Sequence, residues 1–239
     1  DGGTAAPGGW RGVRPSKVFC FMKILQGESA TAGGLHRPKV TLGTFDGVHL
    51  GHQRVLRHVA SWARSSQTES LVITFDRKPR QVLAAQPFEQ ITSLRHRLRL
   101  FELLGLDAAL VLEFTPEIAG LEPEAFVAEW LVRRLNAGGV LLGHDTRFGR
   151  GGRGDLALLL RLGKLHGFDV CSSEVVEAGG APVSSTRIRE AIRRGDLDAA
   201  RGMLGRRVSL LGTVVRGAGI GRTLGFPTAN LDLHHEVRP

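Results

Sequence analysis

The amino-acid sequence predicts a doubly wound α/β fold, a parallel sheet with helices on both faces. Two observations carry that expectation. From Lys39 onward short apolar runs alternate with helical patterns, as a parallel sheet with crossover helices requires. The glycine-, histidine- and serine-bearing motifs fall directly after apolar runs, and in such sheets ligands sit beyond the carboxyl ends of the strands.

Taken in order, residues 1–21 are rich in glycine, alanine and proline without periodicity, and are expected to be a disordered leader. Met22-Lys23-Ile24-Leu25 looks like a better beginning for the chain, with residues 1–21 expected to be an upstream extension. The apolar stretch from Val18 to Met22 follows Arg11, Arg14 and Lys17 in the manner of a secretory signal. Lys23 breaks it, and it is too short for a signal core or a membrane span, so a cytoplasmic location is expected. Candidate strands cover 40–45, 70–75, 108–112, 139–142 and 169–176. Between them 50–64, 93–104, 123–135 and 156–165 read as amphipathic helices. In the third of these, Phe126, Val127, Trp130 and Leu131 share a face at spacings of three and four. After Val183 come two short helices, 186–194 and 197–204, then a β-like stretch over 207–216 and glycine-rich sequence. The expected division is a leader at 1–21, a main domain at 22–204 and a second domain beginning at 205.

Bulk properties narrow the function classes. Hydrophobic residues make up 42% and charged ones 23%, ordinary for a soluble chain able to bury a core. The formal net charge is +9, and 27 of the 32 basic residues are arginine, which favours an anionic partner. No arginine run with interleaved aromatics singles out nucleic acid. Cys20 and Cys171 form no CxxC pair and join no His/Cys cluster, which argues against a disulfide scaffold or structural zinc.

The segment from Gly43 to His52, with Thr44, Phe45, Asp46, Gly47, Val48, His49, Leu50 and Gly51 between, follows a strand and runs into a helix. Gly47 permits a tight turn, and Gly51 lets a phosphate approach the first helical turn, where unpaired N–H groups and the dipole favour anions. His49 and His52, three apart, can point at the same phosphate chain. Beside such charge they should be partly protonated, and they can stabilise charge growing on a transferring phosphoryl group. A pair of helix-capping histidines is the plain alternative.

Three further motifs lie at strand ends. Thr74-Phe75-Asp76-Arg77-Lys78-Pro79 closes the second strand, where turn chemistry alone is an alternative. Gly143-His144-Asp145-Thr146-Arg147-Phe148-Gly149 follows the fourth, and Asp145 is a hard oxygen donor suited to phosphate-bound magnesium. Ser184-Ser185-Thr186-Arg187-Ile188-Arg189 opens a helix. The hydroxyls can cap it and meet phosphate, whereas arginines in a first turn are disfavoured by the dipole unless an anion is bound.

The HxGH pattern resembles that of the nucleotidyltransferase superfamily, and the longer GxFDGxHxGH form resembles the adenylyltransferase domain of bacterial bifunctional riboflavin kinase/FAD synthetases. Thr74, Asp76 and Arg77 stand where that family has a TFDPHP-like sequence on its flavin side, with Arg77 and Lys78 in place of Pro-His. Asp145 falls in the counterpart of G-x-(D/N)-F-x-F-G, with Thr146 where an aromatic is usual. Ser184 to Arg189 match SSTxIR. The resemblance implies an HxGH-type doubly wound sheet in which an FMN phosphate oxygen attacks the α-phosphorus of ATP, giving FAD and pyrophosphate with Mg²⁺. It assigns His49, His52 and Arg189 to catalysis, and Gly43, Phe45, Asp46, Gly47, Gly51, Asp145, Ser184, Ser185, Thr186 and Arg187 to ATP. Gly221-Arg222-Thr223-Leu224-Gly225-Phe226-Pro227-Thr228-Ala229-Asn230 resembles the opening of the riboflavin kinase domain, a small β-barrel in which Thr228 and Asn230 would contact Mg²⁺ and phosphates. Only its first part is expected here, as a loosely held tail without kinase activity. The partners implied are ATP and FMN, with neither nucleic acid nor membrane. Competing readings are another HxGH nucleotidyltransferase, a non-catalytic flavin or nucleotide sensor, and a basic nucleic-acid-binding module.

Overall fold

A computed structural model describes residues 22–27, 34–76, 89–218, 220–223, 225–226 and 228–233. The leader at 1–21 and the Arg77-Lys78 pair lie outside the described residues. Among the described residues, β1 (Lys23–Gln26), β2 (Lys39–Leu42), β3 (Ser70–Phe75), β4 (Ala108–Leu112), β5 (Gly139–Leu142) and β6 (Asp169–Ser172) form one sheet, ordered β1-β4-β3-β2-β5-β6. Every pairing within it is parallel. The doubly wound expectation is met. The order reverses at β2, which pairs with β3 on one side and β5 on the other, so the crevice at the carboxyl ends of β2 and β5 is the place for a ligand.

Side-chain alternation explains why the strands read as continuous apolar runs. Val40, Leu42, Leu71, Ile73 and Val140 enter one core with Trp130, Leu131 and Leu159, while Val72, Ala109 and Leu141 enter another with Val55, Leu56 and Phe101. Neighbours in a strand face opposite ways, and both faces are covered. The second face is covered by α1 (Leu50–Ser65) and α2 (Leu94–Leu103). The first is covered by the helix starting at α4 (Pro123–Phe126) and by α5 (Leu156–His166). A third cluster joins Ile188, Ala191 and Ile192 of α6 (Ser185–Arg193) to Ala200, Met203 and Leu204 of α7 (Leu197–Leu204), with Ile91 against them.

Several boundaries differ from the sequence expectation. The strand expected over 40–45 stops at Leu42, because Phe45, Gly47 and Val48 all take left-handed backbone, with φ of 48°, 80° and 43°. Residues 173–176 lie outside β6. The helix over 123–135 is α-helical to Phe126 and continues as a π-helix over Val127–Arg134. Unforeseen elements are β1, the one-turn helix α3 (Pro116–Gly120), and a hairpin of β7 (Glu177–Ala178) and β8 (Ala181–Pro182). The hairpin turns at Gly179 and Gly180, both with positive φ, as a two-residue turn requires.

Beyond Gly205 the expected strand over 207–216 is reduced to β9 (Thr213–Val215), which pairs antiparallel with β10 (Asn230–Asp232). The single-turn α8 (Ile220–Thr223) lies between them. Thr228 and Asn230 are exposed, as are Val214, Phe226 and Leu231. This ribbon buries little apolar surface of its own, and an isolated pair of strands is marginal in water.

Candidate active site

The loops following β2 and β5 and the start of α6 enclose a cavity of about 590 Å³ at the switch point of the sheet. The loop after β2 is built from within. Asp46 is buried, and one carboxylate oxygen accepts from the Ile91 and Thr92 amides at 2.9 and 3.1 Å. The Gly47 N–H donates to Thr92 Oγ1 at 2.8 Å, and a Cβ at Gly47 would lie 2.8 Å from the Ile91 side chain, so glycine is needed for space as well as for φ. The chain then enters α1 with His49 as its cap.

His49 Nδ1 accepts the His52 amide at 3.4 Å. The two rings stack with centroids 3.5 Å apart, and Phe45 meets the His52 ring edge-on at 5.2 Å. Both imidazoles line the cavity, as do Gly43, Phe45 and Gly51. A Cβ at Gly51 would come within 3.3 Å of the His49 ring, so this glycine leaves room for the ring itself. Burial pushes the His49 pKa down to about 4; Asp145 and Asp46 pull it up and Arg206 pulls it down. The ring is therefore neutral at pH 7, and with Nδ1 accepting, its proton sits on Nε2. Partial protonation, expected beside bound phosphate, is not the state of this ring in the protein alone.

At α6, Ser184 is the N-cap and accepts the Arg187 amide at 3.3 Å, while the Ser185 hydroxyl donates to the Asp46 carbonyl at 2.9 Å. Both serines line the cavity. The arginines are placed otherwise than the sequence suggested. Arg187 donates to the carbonyls of Ala178, Ala181 and Pro182, tying the β7–β8 hairpin to the helix. Arg189 pairs with Asp46 at 2.8 Å and donates to Thr186 Oγ1 at 3.3 Å. Arg187 lies in the first turn of α6 and is satisfied by hairpin carbonyls, whereas Arg189, the fifth residue of the helix, is satisfied by a buried carboxylate. Asp46, Gly47, Thr186, Arg187 and Arg189 do not line the cavity, and Thr186 is exposed to solvent.

The loop after β5 brings Gly143, His144, Asp145, Thr146, Arg147 and Phe148 to the same cavity. Asp145 is largely exposed, with His144 3.9 Å away. Among the described residues no group of three or more His, Cys, Asp or Glu could hold a metal ion. Asp145 and Glu174 both line the cavity, and Glu174 is paired with Arg54. A single carboxylate such as Asp145 would suit an ion that keeps most of its waters and takes its other ligands from phosphates, which is how Mg²⁺ is usually bound.

Thr74, Asp76 and Arg77 are the residues expected at the flavin. Thr74 is fully buried and its hydroxyl accepts from Arg97 at 3.2 Å, while Asp76 accepts the Phe114 amide at 2.9 Å. Neither residue lines the cavity; Arg77 lies outside the described residues. Apolar residues that do line the cavity include Phe75, Phe114, Ile118, Ala119, Phe126 and Phe148. Phe75 and Phe114 meet edge to face at 5.4 Å, and the Asp76 bond fixes where Phe114 begins. Behind them the fully buried Arg97 donates to the Thr44 carbonyl, to Thr74 Oγ1 and to the Phe75 carbonyl, joining the ends of β2 and β3. Sequence reasoning missed Arg97, which sits among Arg95, His96 and Arg99 and reads there as one more solvated cation. The aromatic wall was partly visible in the apolar face that includes Phe126.

The FAD synthetase family model matches residues 34–187, spanning every element around the cavity from β2 to the start of α6. The chain belongs to the FAD synthetase family. A riboflavin kinase family model matches 204–239. Among family members, the Escherichia coli K12 bifunctional riboflavin kinase/FMN adenylyltransferase is 36% identical over 84% of this chain and 64% of its own length. The chain thus spans somewhat under two thirds of that relative. The Haemophilus influenzae protein of the same description is 33% identical over 91% of this chain and 71% of its own. Among solved structures, a Streptococcus pneumoniae chain described as a macrolide-efflux protein superposes with a TM-score of 0.74 at 29% identity, covering 91% of this chain and 72% of that one. No helix among the described residues here is long and apolar enough to cross a membrane.

Proposed function

We propose that this chain transfers the adenylyl group of ATP to FMN, giving FAD and pyrophosphate. The observation that carries the reading is one cavity with two unlike kinds of lining. The stacked His49 and His52 at the start of α1 border it together with Ser184 and Ser185 at the start of α6, and Phe75 and Phe114 add aromatic surface to the same cavity. Helix N-termini favour phosphates, and aromatic faces favour a planar ring system.

In this reading an FMN phosphate oxygen attacks the α-phosphorus of ATP in line, the bond to the β-phosphate oxygen breaks, and pyrophosphate leaves with the electron pair. No general base is needed, because the attacking phosphate is already ionised near neutral pH. The His49 Nε2–H donates to the nucleotide, and His52 stabilises charge growing on the transferring group. Ser184 and Ser185 serve the β- and γ-phosphates, and Gly43, Phe45 and Gly51 shape the nucleotide's bed. Thr186 and Arg189 reach the leaving group only if Arg189 exchanges Asp46 for phosphate. Asp46, Gly47 and Arg187 act by holding the loop and helix in place. Asp145 would hold Mg²⁺, whose contribution when bound is to neutralise the phosphate oxygens. Thr228 and Asn230 belong by the same reasoning to phosphate binding in the second module.

Incubation of the purified chain with FMN, ATP and Mg²⁺ should yield FAD and pyrophosphate in equal amounts. His52→Ala should lower the rate by about a hundredfold or more while leaving FMN affinity within a few-fold. Unchanged turnover in that variant would remove His52 from the mechanism, and absence of FAD with the parent chain would remove the reading.

A further inference from the structure

The loop that presents His49 carries backbone strain at Phe45 and Val48, each at a positive φ that non-glycine residues rarely adopt. Val48 is β-branched, so its left-handed conformation is the costlier, and such a conformation persists only where the surroundings impose it. Part of what imposes it comes from far along the chain. Arg206 donates to the Gly47 carbonyl at 2.8 Å and to the Val48 carbonyl at 3.2 Å. Buried Gln53 donates from Nε2 to the same Val48 carbonyl at 3.0 Å and to the Leu204 carbonyl at 2.7 Å. Gly205 packs so tightly on α1 that a Cβ there would lie 2.4 Å from a Leu50 methyl carbon.

We propose that Arg206 is a positioning residue for the adenylyl-transfer site, fixing through the Gly47 and Val48 carbonyls the strained loop that aims His49. The inference rests on the function proposed above. Arg206 lies beyond the 34–187 segment matched to FAD synthetase and within the 204–239 segment matched to riboflavin kinase. The first residues of the second module thus complete the site of the first. The guanidinium suits the task, since its planar fork reaches two adjacent carbonyls at once and stays charged. It is also among the groups bearing on the His49 ring, adding to burial and opposing Asp145 and Asp46.

The test compares Arg206→Ala, Arg206→Lys and Arg207→Ala, the last an exposed neighbour, in the full chain. Arg206→Ala should lower kcat for FAD formation on the order of tenfold to a hundredfold, as expected when a reacting group is misplaced by about an ångström. KM for ATP and for FMN should stay within about threefold, since the binding walls are intact. Arg206→Lys should recover part of the loss, and Arg207→Ala should match the parent. An unchanged kcat in Arg206→Ala, or the same loss in Arg207→Ala, overturns the inference. Ring NMR signals of His49 and His52 supply a readout independent of turnover. They should move in Arg206→Ala and stay in place in Arg207→Ala, and unmoved signals overturn the inference as well. If the parent chain makes no FAD while the ring signals do move, the adenylyl-transfer reading falls and the clamp stands. Should Arg206→Ala fail to fold, Gln53→Met removes the other donor to Val48 and is read in the same two ways. Parent-like kcat and ring signals in that variant count against the clamp.

Discussion

His49 sits in a place that disfavours its charged form, and that has a consequence for stability as well as for binding. Its folded-state pKa of about 4 lies below the usual 6.5, chiefly through burial. Between those values the unfolded chain binds a proton that the folded chain does not, so this residue's contribution to stability is constant above pH 6.5 and is lost as pH falls toward 4. Chemical denaturation at pH 7 and pH 5 should show a smaller loss for His49→Gln than for the parent. An equal loss would place the acid sensitivity elsewhere. Arg97 illustrates a different residue-scale principle. It is charged and without exposure, and it is tolerated because two carbonyls and a hydroxyl surround it and the Asp46 and Asp76 carboxylates oppose the downward pull of burial on its pKa. Nothing in the local sequence distinguishes it from the exposed Arg95 and Arg99 on the same helix, because burial of one arginine among several is decided by what packs against the helix.

At the scale of elements, the loop after β2 shows why the strand ends where it does. The apolar run continues to Phe45 in sequence, yet hydrogen bonding to β3 ends with Gly43, whose N–H donates to the Ile73 carbonyl at 3.0 Å. From there the backbone turns through left-handed conformations, and Asp46 and Gly47 are bonded to Ile91 and Thr92 instead. Gly47→Ala should therefore cost about 2 kcal/mol, combining left-handed strain with the approach to Ile91. Urea denaturation measures it, and a loss under about 0.5 kcal/mol, the range of an ordinary surface substitution, would contradict the account. Helix starts were legible in their cap residues. Ser93, Asp155, Ser184 and Asp196 cap α2, α5, α6 and α7 in turn, each with its side chain accepting an amide of the first turn.

At the scale of the whole molecule, the switch point between β2 and β5 brings the His49–His52 pair, Ser184 and Ser185, and the aromatic Phe75 and Phe114 to one cavity. Phe114→Ala should weaken FMN binding by about tenfold and leave ATP binding nearly unchanged, as expected for loss of one stacking surface. Titration calorimetry with each ligand separates the two, and an equal loss for both would show that the aromatic wall does not belong to the flavin. The sequence by itself determined the parallel sheet, the succession along the chain of most of its strands and helices, and the placement of the histidine and serine motifs at strand ends. Those features are written in short-range periodicity and in turn and cap residues, which depend on neighbours a few positions away. Tertiary structure decided which polar groups face the cavity and which are spent inside the protein. Asp46 and Arg189 are 143 residues apart and meet as an ion pair, Thr74 is turned to Arg97, and Arg206 reaches back to the loop at Gly47. Such pairings depend on where the sheet order folds distant segments together, and no local pattern encodes them.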